Sequence, residues 1–328
     1  MTAVVGVDLG GTKIAFACFD GHELAESTIV ATDTSGSDAL IEQLVEGVGR
    51  CRGARLDGVG VGVPSVVEFS TGRVVSSANI PLRDVPLREA LGERLGVPVF
   101  VDNDATVAAL AEAHDLDLRM VARDLVMLTI GTGIGGGLVL GGRIYRGATG
   151  AAGELGHTMV GMEMRGPVPE AGRFPQPGSL EGEAAGHAFD ALVAAYARSH
   201  PDSSLGRRLA VGEHLTGVQA VDAARDGDAD AREMIEQWGE RVGIGIANAI
   251  NTFDPEEVVI GGGAVRAGEL LLAPARRTAA EYVLPGLGSA TTIRAARHGV
   301  RSGVLGAALL AAHELAGASE LQPVQVRS

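Results

Sequence analysis

Apolar residues in this chain come in short runs that stop at glycine, and longer stretches with helical spacing fill the gaps. "VVGVDLGGTKIAFACFD" (4–20) predicts a strand, a Gly-Gly turn and a second strand. "LVMLTIGTGIGGGLVLGGRIYRG" (125–147) repeats that plan, which reads as a weak internal duplication with one strand–turn–strand unit opening each of two lobes. Two further apolar runs end in turn residues, "GVGVGVPS" (58–65) and "EVVIGGGAV" (257–265). Helices are predicted over 38–52, 104–114, 229–253 and 304–317. The third is long, ends at Asp254-Pro255, and carries Gly239, Gly243 and Gly245, which weaken it but permit close packing. A proline-rich loop at 162–180 holds Pro167, Pro169, Pro175 and Pro177, and the tail 318–328 is expected to fray. Alternating strands and helices indicate an α/β protein.

Composition narrows the class. At 328 residues and 46% hydrophobic, the chain can build a sizeable core and is long enough for two lobes. No stretch of ~20 residues is free of charge and of glycine breaks, so no transmembrane span is expected. The first strand begins at once, leaving no room for a signal peptide, and the only cysteines are Cys18 and Cys51. Both points predict a cytoplasmic protein without a disulfide framework or a multi-thiolate metal site. A net charge of −14 argues against nucleic-acid or anionic-membrane partners. It leaves room for a phosphorylated ligand, because backbone N–H groups hold phosphate with few cations.

The candidate chemistry sits at the glycine turns. Of 27 Lys plus Arg residues only Lys13 is lysine, and it follows Asp8-Leu9-Gly10-Gly11-Thr12. Paired glycines let backbone N–H groups approach an anion, Thr12 adds a hydroxyl, and Lys13 adds a compact cation where arginine would bring a wide planar fork. Asp8 can hold Mg²⁺ directly or through water. The plain alternative is a hairpin turn with a solvated lysine. Gly131-Thr132-Gly133 offers a second such turn, and Gly261-Gly262-Gly263 a third place where a flat base or ribose could lie on backbone. Together they point to a nucleotide. In "VFVDNDATVAALAE" (99–112) a strand ends at Asp102-Asn103-Asp104 and a helix begins, so Asp104 can accept a proton from an attacking hydroxyl. Capping of the helix by Asn103 or Asp104 explains the same residues. Glu154 and His157, with Asn79 and Glu181, can clamp a polyol, or can simply be loop residues.

Taken together, "GVDLGGTKIA", "VFVDNDATVAALAEA", "LTIGTGIGGGLVLGGRIYRGATGAAGELGH", "SLEGEAAG" and "EVVIGGGAV", in this order, resemble the ROK family of repressors and sugar kinases over almost the whole chain. The resemblance implies a two-lobed, actin-like ATPase (ribonuclease H-like) fold with a central cleft. The lobes would be 1–115 with 303–328, and 116–302, the last helix crossing back to the first. It implies transfer of the ATP γ-phosphate to the 6-hydroxyl of glucose or a close relative, with Asp104 as catalytic base. Asn79, Asn103, Asp104, Glu154, His157 and Glu181 would meet the sugar. Asp8, Gly10, Gly11, Thr12, Lys13, Thr132 and Gly133 would meet phosphate and Mg²⁺, and Gly261, Gly262 and Gly263 the adenosine. A homodimer or homotetramer is expected. Many family members bind structural zinc through a C-x-C-G-x-x-G-C pattern and a histidine. Here Gly172, Phe174 and Ser179 stand in the three cysteine places, so no zinc is expected and Phe174 is expected to act as a small apolar plug. Three alternatives stay open: an amino-sugar 6-kinase of the kanosamine type, polyphosphate as donor, and a sugar-responsive regulator without catalysis.

Overall fold

A computed structural model describes residues 2–51, 55–77, 79–161, 168 and 170–320. Arg52 of the first predicted helix, Pro167 and Pro169 of the proline-rich loop, and 321–328 of the tail lie outside the described residues. The chain forms β1 (Val4–Leu9), β2 (Lys13–Phe19), β3 (Thr28–Ala31), α1 (Ser37–Cys51), β4 (Gly58–Val63), β5 (Ser65–Glu68), β6 (Arg73–Ser77), α2 (Leu87–Leu95), β7 (Val99–Asn103) and α3 (Asp104–Glu112). There follow β8 (Leu125–Ile130), β9 (Ile134–Leu140), β10 (Arg143–Ile144), α4 (Leu180–Ala184), α5 (Gly186–Ser199), α6 (Ser204–Ala210), α7 (Gly217–Arg225) and α8 (Ala229–Phe253). The chain closes with β11 (Glu257–Gly261), α9 (Glu269–Tyr282), β12 (Thr292–Ala295) and α10 (Ser302–Glu320). No helix among the described residues is long and apolar enough to cross a membrane.

Residues 1–123, 137–153 and 297–328 make one compact unit, and 124–136 with 154–296 make the other. Residues 137–153, which the sequence division groups with 116–302, go with the first unit. Gly137 of β9 lies against the backbone of Ala105 and the methyl of Ala109 on α3, where any side chain would collide. Residues 318–320, expected to fray, continue α10.

The first unit is built on a five-stranded sheet ordered β3-β2-β1-β4-β7. β1 and β2 are antiparallel across the Gly-Gly turn, while β1, β4 and β7 run parallel. The period of two in "VVGVDL" and "GVGVGV" sorts the two faces. Val5, Val7, Val59, Val61 and Val63 pack with Leu40 and Leu44 of α1 and with Leu87 and Leu91 of α2. The other face carries Gly6 and Gly60, and α10 lies directly on them. A Cβ at Gly6 would strike Val304 and Ala308, and one at Gly60 would strike the carbonyl of Ala307. Gly306 gives the same close approach between α10 and Val107 of α3. The start of α10 is held by the fully buried Glu112, whose carboxylate accepts from the backbone of Arg297 (2.8 Å) and His298 (3.0 Å) and from the Ser302 hydroxyl (3.2 Å).

The second sheet is ordered β10-β9-β8-β11-β12, with β8, β11 and β12 parallel. In both sheets the strands, taken by appearance, run third, second, first, fourth, fifth. The duplication read from two glycine turns thus extends to the strand order. In the second unit α8 starts under the Asp228 side chain, which accepts from Ala231, and stops at Asp254 in the left-handed region. Its glycines do admit close neighbours: Gly239 faces Pro274 and Gly243 faces Ala275 and Thr278 of α9, while Gly245 faces Leu180 of α4.

Two histidines are packed into the first unit. The rings of His114, after α3, and His313, on α10, lie 5.5 Å apart. Burial, then the neighbouring His114 and Arg143, push the His313 imidazole down to about 4. His114 is pushed down as well, chiefly by burial. A base whose folded pKa is depressed takes its proton more readily in the unfolded chain, so stability is complete above the unfolded value and drains away as pH falls toward the folded one. Between about pH 6.5 and 4, His313 should cost up to roughly 3 kcal/mol. Replacing it by leucine is expected to flatten this acid limb, as read by the melting temperature between pH 7.5 and 4.5; an unchanged limb would remove the histidine from the account.

Candidate active site

The first unit brings one set of the sequence candidates together. Asp8 is near the C-terminal end of β1, paired with Ala15 of β2 and Gly62 of β4. A Cβ on Gly303, in the first turn of α10, would overlap the Asp8 carboxylate, so that glycine is what allows the helix start to meet it. Burial raises the Asp8 carboxyl above the usual range, and Lys13 pulls it partly back. The turn itself is closed by Gly10 N–H donating to Lys13 C=O (2.9 Å). Thr32 straps it, with its hydroxyl donating to Gly10 C=O (2.7 Å) and its N–H to Thr12 C=O (3.1 Å). Asn79 lies over Gly11, where an added Cβ would come within 3.0 Å of the Asn79 Cβ. Lys13, Thr12 and Asn79 are exposed.

Asn103 and Asp104 stand at the end of β7 and the start of α3. The Asn103 carboxamide oxygen accepts from Ala105 N–H (2.9 Å) and Thr106 N–H (3.2 Å), and its NH₂ donates to Ser65 C=O (3.3 Å). Asn103 is therefore the cap, and Asp104 is the first helical residue, with Oδ1 accepting from Ala105 N–H at 2.8 Å. The two readings of this motif are compatible, because capping is done by the neighbour.

The second unit gathers its candidates around the β8–β9 turn. Gly131 N–H donates to Gly133 C=O (2.9 Å), a tighter closure, over two residues, than the three-residue one of the first turn. The start of α5 grips the turn from behind: Gly186 N–H donates to Gly131 C=O (2.8 Å) and His187 Nδ1 lies 2.7 Å from Thr132 C=O. Glu181, in α4, accepts from Ile134 N–H (2.7 Å) just beyond the turn, and Gly133 leaves room for that carboxylate. Glu154 and His157 flank a single 3-10 turn, Oε2 and Nε2 3.8 Å apart. Gly262 has φ 75°, and its Cα approaches the Ile130 backbone so closely that no side chain fits. Between the Gly131–Thr132 turn and Gly263 opens a cavity of about 440 Å³. Its walls include Val218, Ala267 and the Phe189–Trp238 pair, stacked at 4.3 Å, with His187, Asp190 and Arg266 as polar members. Thr32 and His187 were not evident in the sequence: each acts on a backbone carbonyl of a remote turn, and no local pattern marks that.

The ROK family pattern matches residues 4–314. The chain belongs to the ROK family. It is 34% identical to a glucokinase of Halalkalibacterium halodurans, over 92% of each chain. Its structure is similar to a ROK hexokinase from Thermus thermophilus, with 36% identity, a TM-score of 0.77, and coverage of 96% of this chain and 100% of that one. A ROK family glucokinase from Streptomyces griseus, solved with glucose and AMPPNP, matches with 29% identity, a TM-score of 0.76, and coverage of 95% and 99%. The fold is accordingly the two-lobed, actin-like ATPase fold, and the repeated strand order is its signature here.

One departure from the sequence reading concerns the ROK zinc segment. Phe174 does not plug a core: it is 66% exposed and lies edge-on to the His157 ring at 5.2 Å. Ser179 is fully buried and caps α4, donating to Gln176 C=O (2.6 Å) and accepting from Gly182 N–H (3.1 Å). The loop is closed here by hydrogen bonds at the helix start. No group of three His, Cys, Asp or Glu suited to a metal occurs among the described residues.

The raised carboxyl at position 8 makes a stability prediction. An acid whose folded pKa lies above the unfolded one destabilises the fold once ionised, and the cost disappears as pH falls below that range. Asp8→Asn is therefore expected to raise the melting temperature of the unliganded protein at pH 7, with the gain shrinking toward pH 4. Calorimetry across that range checks it, and a variant that melts lower at pH 7 would contradict the burial cost.

Proposed function

We propose that this ROK chain transfers the γ-phosphoryl group of ATP to the 6-hydroxyl of glucose or a closely related hexose. The observation that carries the reading is the position of Asp104: a carboxylate at the first residue of a capped helix, in a chain that matches glucokinases along nearly its whole length. Asp104 takes the proton of the 6-hydroxyl as that oxygen bonds to the γ-phosphorus. The bond from phosphorus to the β,γ-bridging oxygen breaks, and ADP leaves with that oxygen. Such a transfer asks the protein chiefly for alignment and charge neutralisation.

The remaining residues divide by chemistry. Asn79, Asn103, Glu154, His157 and Glu181 hold ring hydroxyls, so that one hydroxyl faces phosphorus. The N–H groups of Gly11 and Thr12, in the turn that Gly10 closes, the Lys13 ammonium, and the Thr132–Gly133 turn hold phosphate oxygens. The apolar cavity bounded by Gly263 and Ala267 has the size and lining for adenosine, with Gly261 and Gly262 setting the backbone beside it. Asp8 fits Mg²⁺: its carboxylate is desolvated and stands beside the phosphate turn, and this ion binds through one or two carboxylates plus phosphate oxygens. When bound, Mg²⁺ supplies neutralisation of charge on the transferring phosphate. Gly172, Phe174 and Ser179 in the cysteine places support a chain that works without zinc. Assembly as a homodimer or homotetramer is part of the same proposal.

Asp104→Asn is expected to lower kcat by roughly 10²–10⁴, the usual share of a positioned acid–base group, with the melting temperature little changed. A coupled ADP-release assay over glucose, mannose, allose, glucosamine, the N-acetylhexosamines and kanosamine identifies the acceptor, and a parallel series with polyphosphate tests the donor. Near-normal turnover by the folded variant would refute the base assignment. A lack of ADP release with every sugar would favour a regulator.

A further inference from the structure

We propose that Arg146 is a positioning residue for the reaction: clamped between Asp102 and Glu314, it fixes the corner between β7 and α3 that presents Asp104. This rests on the reading of Asp104 as the base.

Asp102 immediately precedes the cap and is 1% exposed. Each of its carboxylate oxygens has a separate task. Oδ1 accepts from Asn103 N–H at 2.9 Å, and Oδ2 accepts from Arg146 Nε at 2.7 Å. Arg146 Nη2 then donates to Glu314 Oε1 of α10 at 3.0 Å. The guanidinium carbon stands 3.4 Å from the centre of the Phe69 ring, and that ring also carries Arg88 at 5.3 Å. Arg88 in turn donates to the carbonyls of Phe69 and Ser70. The Arg146 carbonyl accepts from Ala152 N–H at 3.0 Å, so its own loop is closed. Arg146 is thus confined on three sides, by two carboxylates and an aromatic face.

A buried ion pair seldom adds stability over an apolar pair of the same volume, because desolvation offsets the attraction. Burial indeed pushes the Asp102 carboxyl up despite Arg146 beside it. What the pair does supply is direction. The guanidinium, its Nε on Asp102 and its Nη2 on Glu314, fixes one oxygen of the Asp102 carboxylate, and the other oxygen fixes the N–H of Asn103. Asn103 caps Ala105 and Thr106, and Ala105 N–H meets Asp104. A displacement at Arg146 therefore reaches the reacting carboxylate through one side chain and two residues of backbone. Lysine would carry the charge without the fork.

The test uses the full-length chain with steady-state kinetics in both substrates, melting temperatures, and Asp104→Asn measured in parallel. Arg146→Met and Asp102→Asn are expected to lower kcat by about 10–100-fold, as an ångström-scale misplacement does, with both KM values within about threefold. Their double variant should lose no more than the worse single one, because both changes break the same link. Arg146→Lys should recover part of the loss. Should Arg146→Met not fold, Asp102→Asn, which keeps the acceptor for Asn103 N–H, carries the same expectation. Folded Arg146→Met or Asp102→Asn with normal kcat and a lowered melting temperature would reduce the cluster to an ordinary core ion pair and overturn the proposal, as would a change confined to KM. Full turnover in Asp104→Asn would instead overturn the base assignment.

Discussion

The close seating of α10 on the glycine-bearing face of the first sheet is the constraint on which the rest of that unit depends. Gly6 and Gly60 let the helix backbone touch the strands, and Gly306 lets it touch α3 in the same way. A methyl at any of these would meet main chain, which cannot rotate aside. Glu112 sets where the helix begins by taking two backbone N–H groups and the Ser302 hydroxyl. Gly303 then falls beside Asp8, and Glu314, farther along, reaches Arg146. One packed helix thus borders the carboxylate assigned to the cation and braces the corner that carries the acid.

The two sheets share a strand order but not a chemistry. Asp8 is the fifth residue of β1, and the fifth residue of β8 is Thr129. β7 ends in Asp102-Asn103 and runs directly into Asp104, whereas β12 ends in Ala295 followed by Ala296. The carboxylates proposed for proton transfer and for Mg²⁺, Asp104 and Asp8, belong to the first copy. The second keeps the glycine turn, surrounds it with α5 and α7, and opens an apolar cavity beside it. The likeness is in the backbone, and the division of labour is in a few side chains at the ends of strands.

Much of this was legible because the strongest signals are local. The two strand–turn–strand units, the span 229–253 of α8 and the Asn103 cap all follow from periodicity or from a residue's immediate neighbours. The short exposed strand β3, the short helix α2 behind Pro86, and the short helices α6 and α7 carry few residues, and they were not anticipated; neither was α5, although Phe189, Val193 and Ala197 give it a buried face. At the site, the glycine turns, Asp8 and Asp104 were readable from their motifs. Arg146, Thr32 and His187 were not, since their partners lie 44, 22 and 55 residues away in sequence. Phe174 was misjudged for a related reason: a hydrophobic residue in a cysteine's place suggests burial, yet the buried role went to Ser179.

Lys13 is exposed and is the sole lysine of 328 residues. Beyond the α-amino group the chain therefore offers one primary amine, and it stands at the turn proposed to hold phosphate. Among the side chains, acylating enzymes, aldehydes and amine-directed crosslinkers have no other amine to take. Any tag, tether or ubiquitin attached through a lysine ε-amine occupies the place proposed to meet the nucleotide's charge.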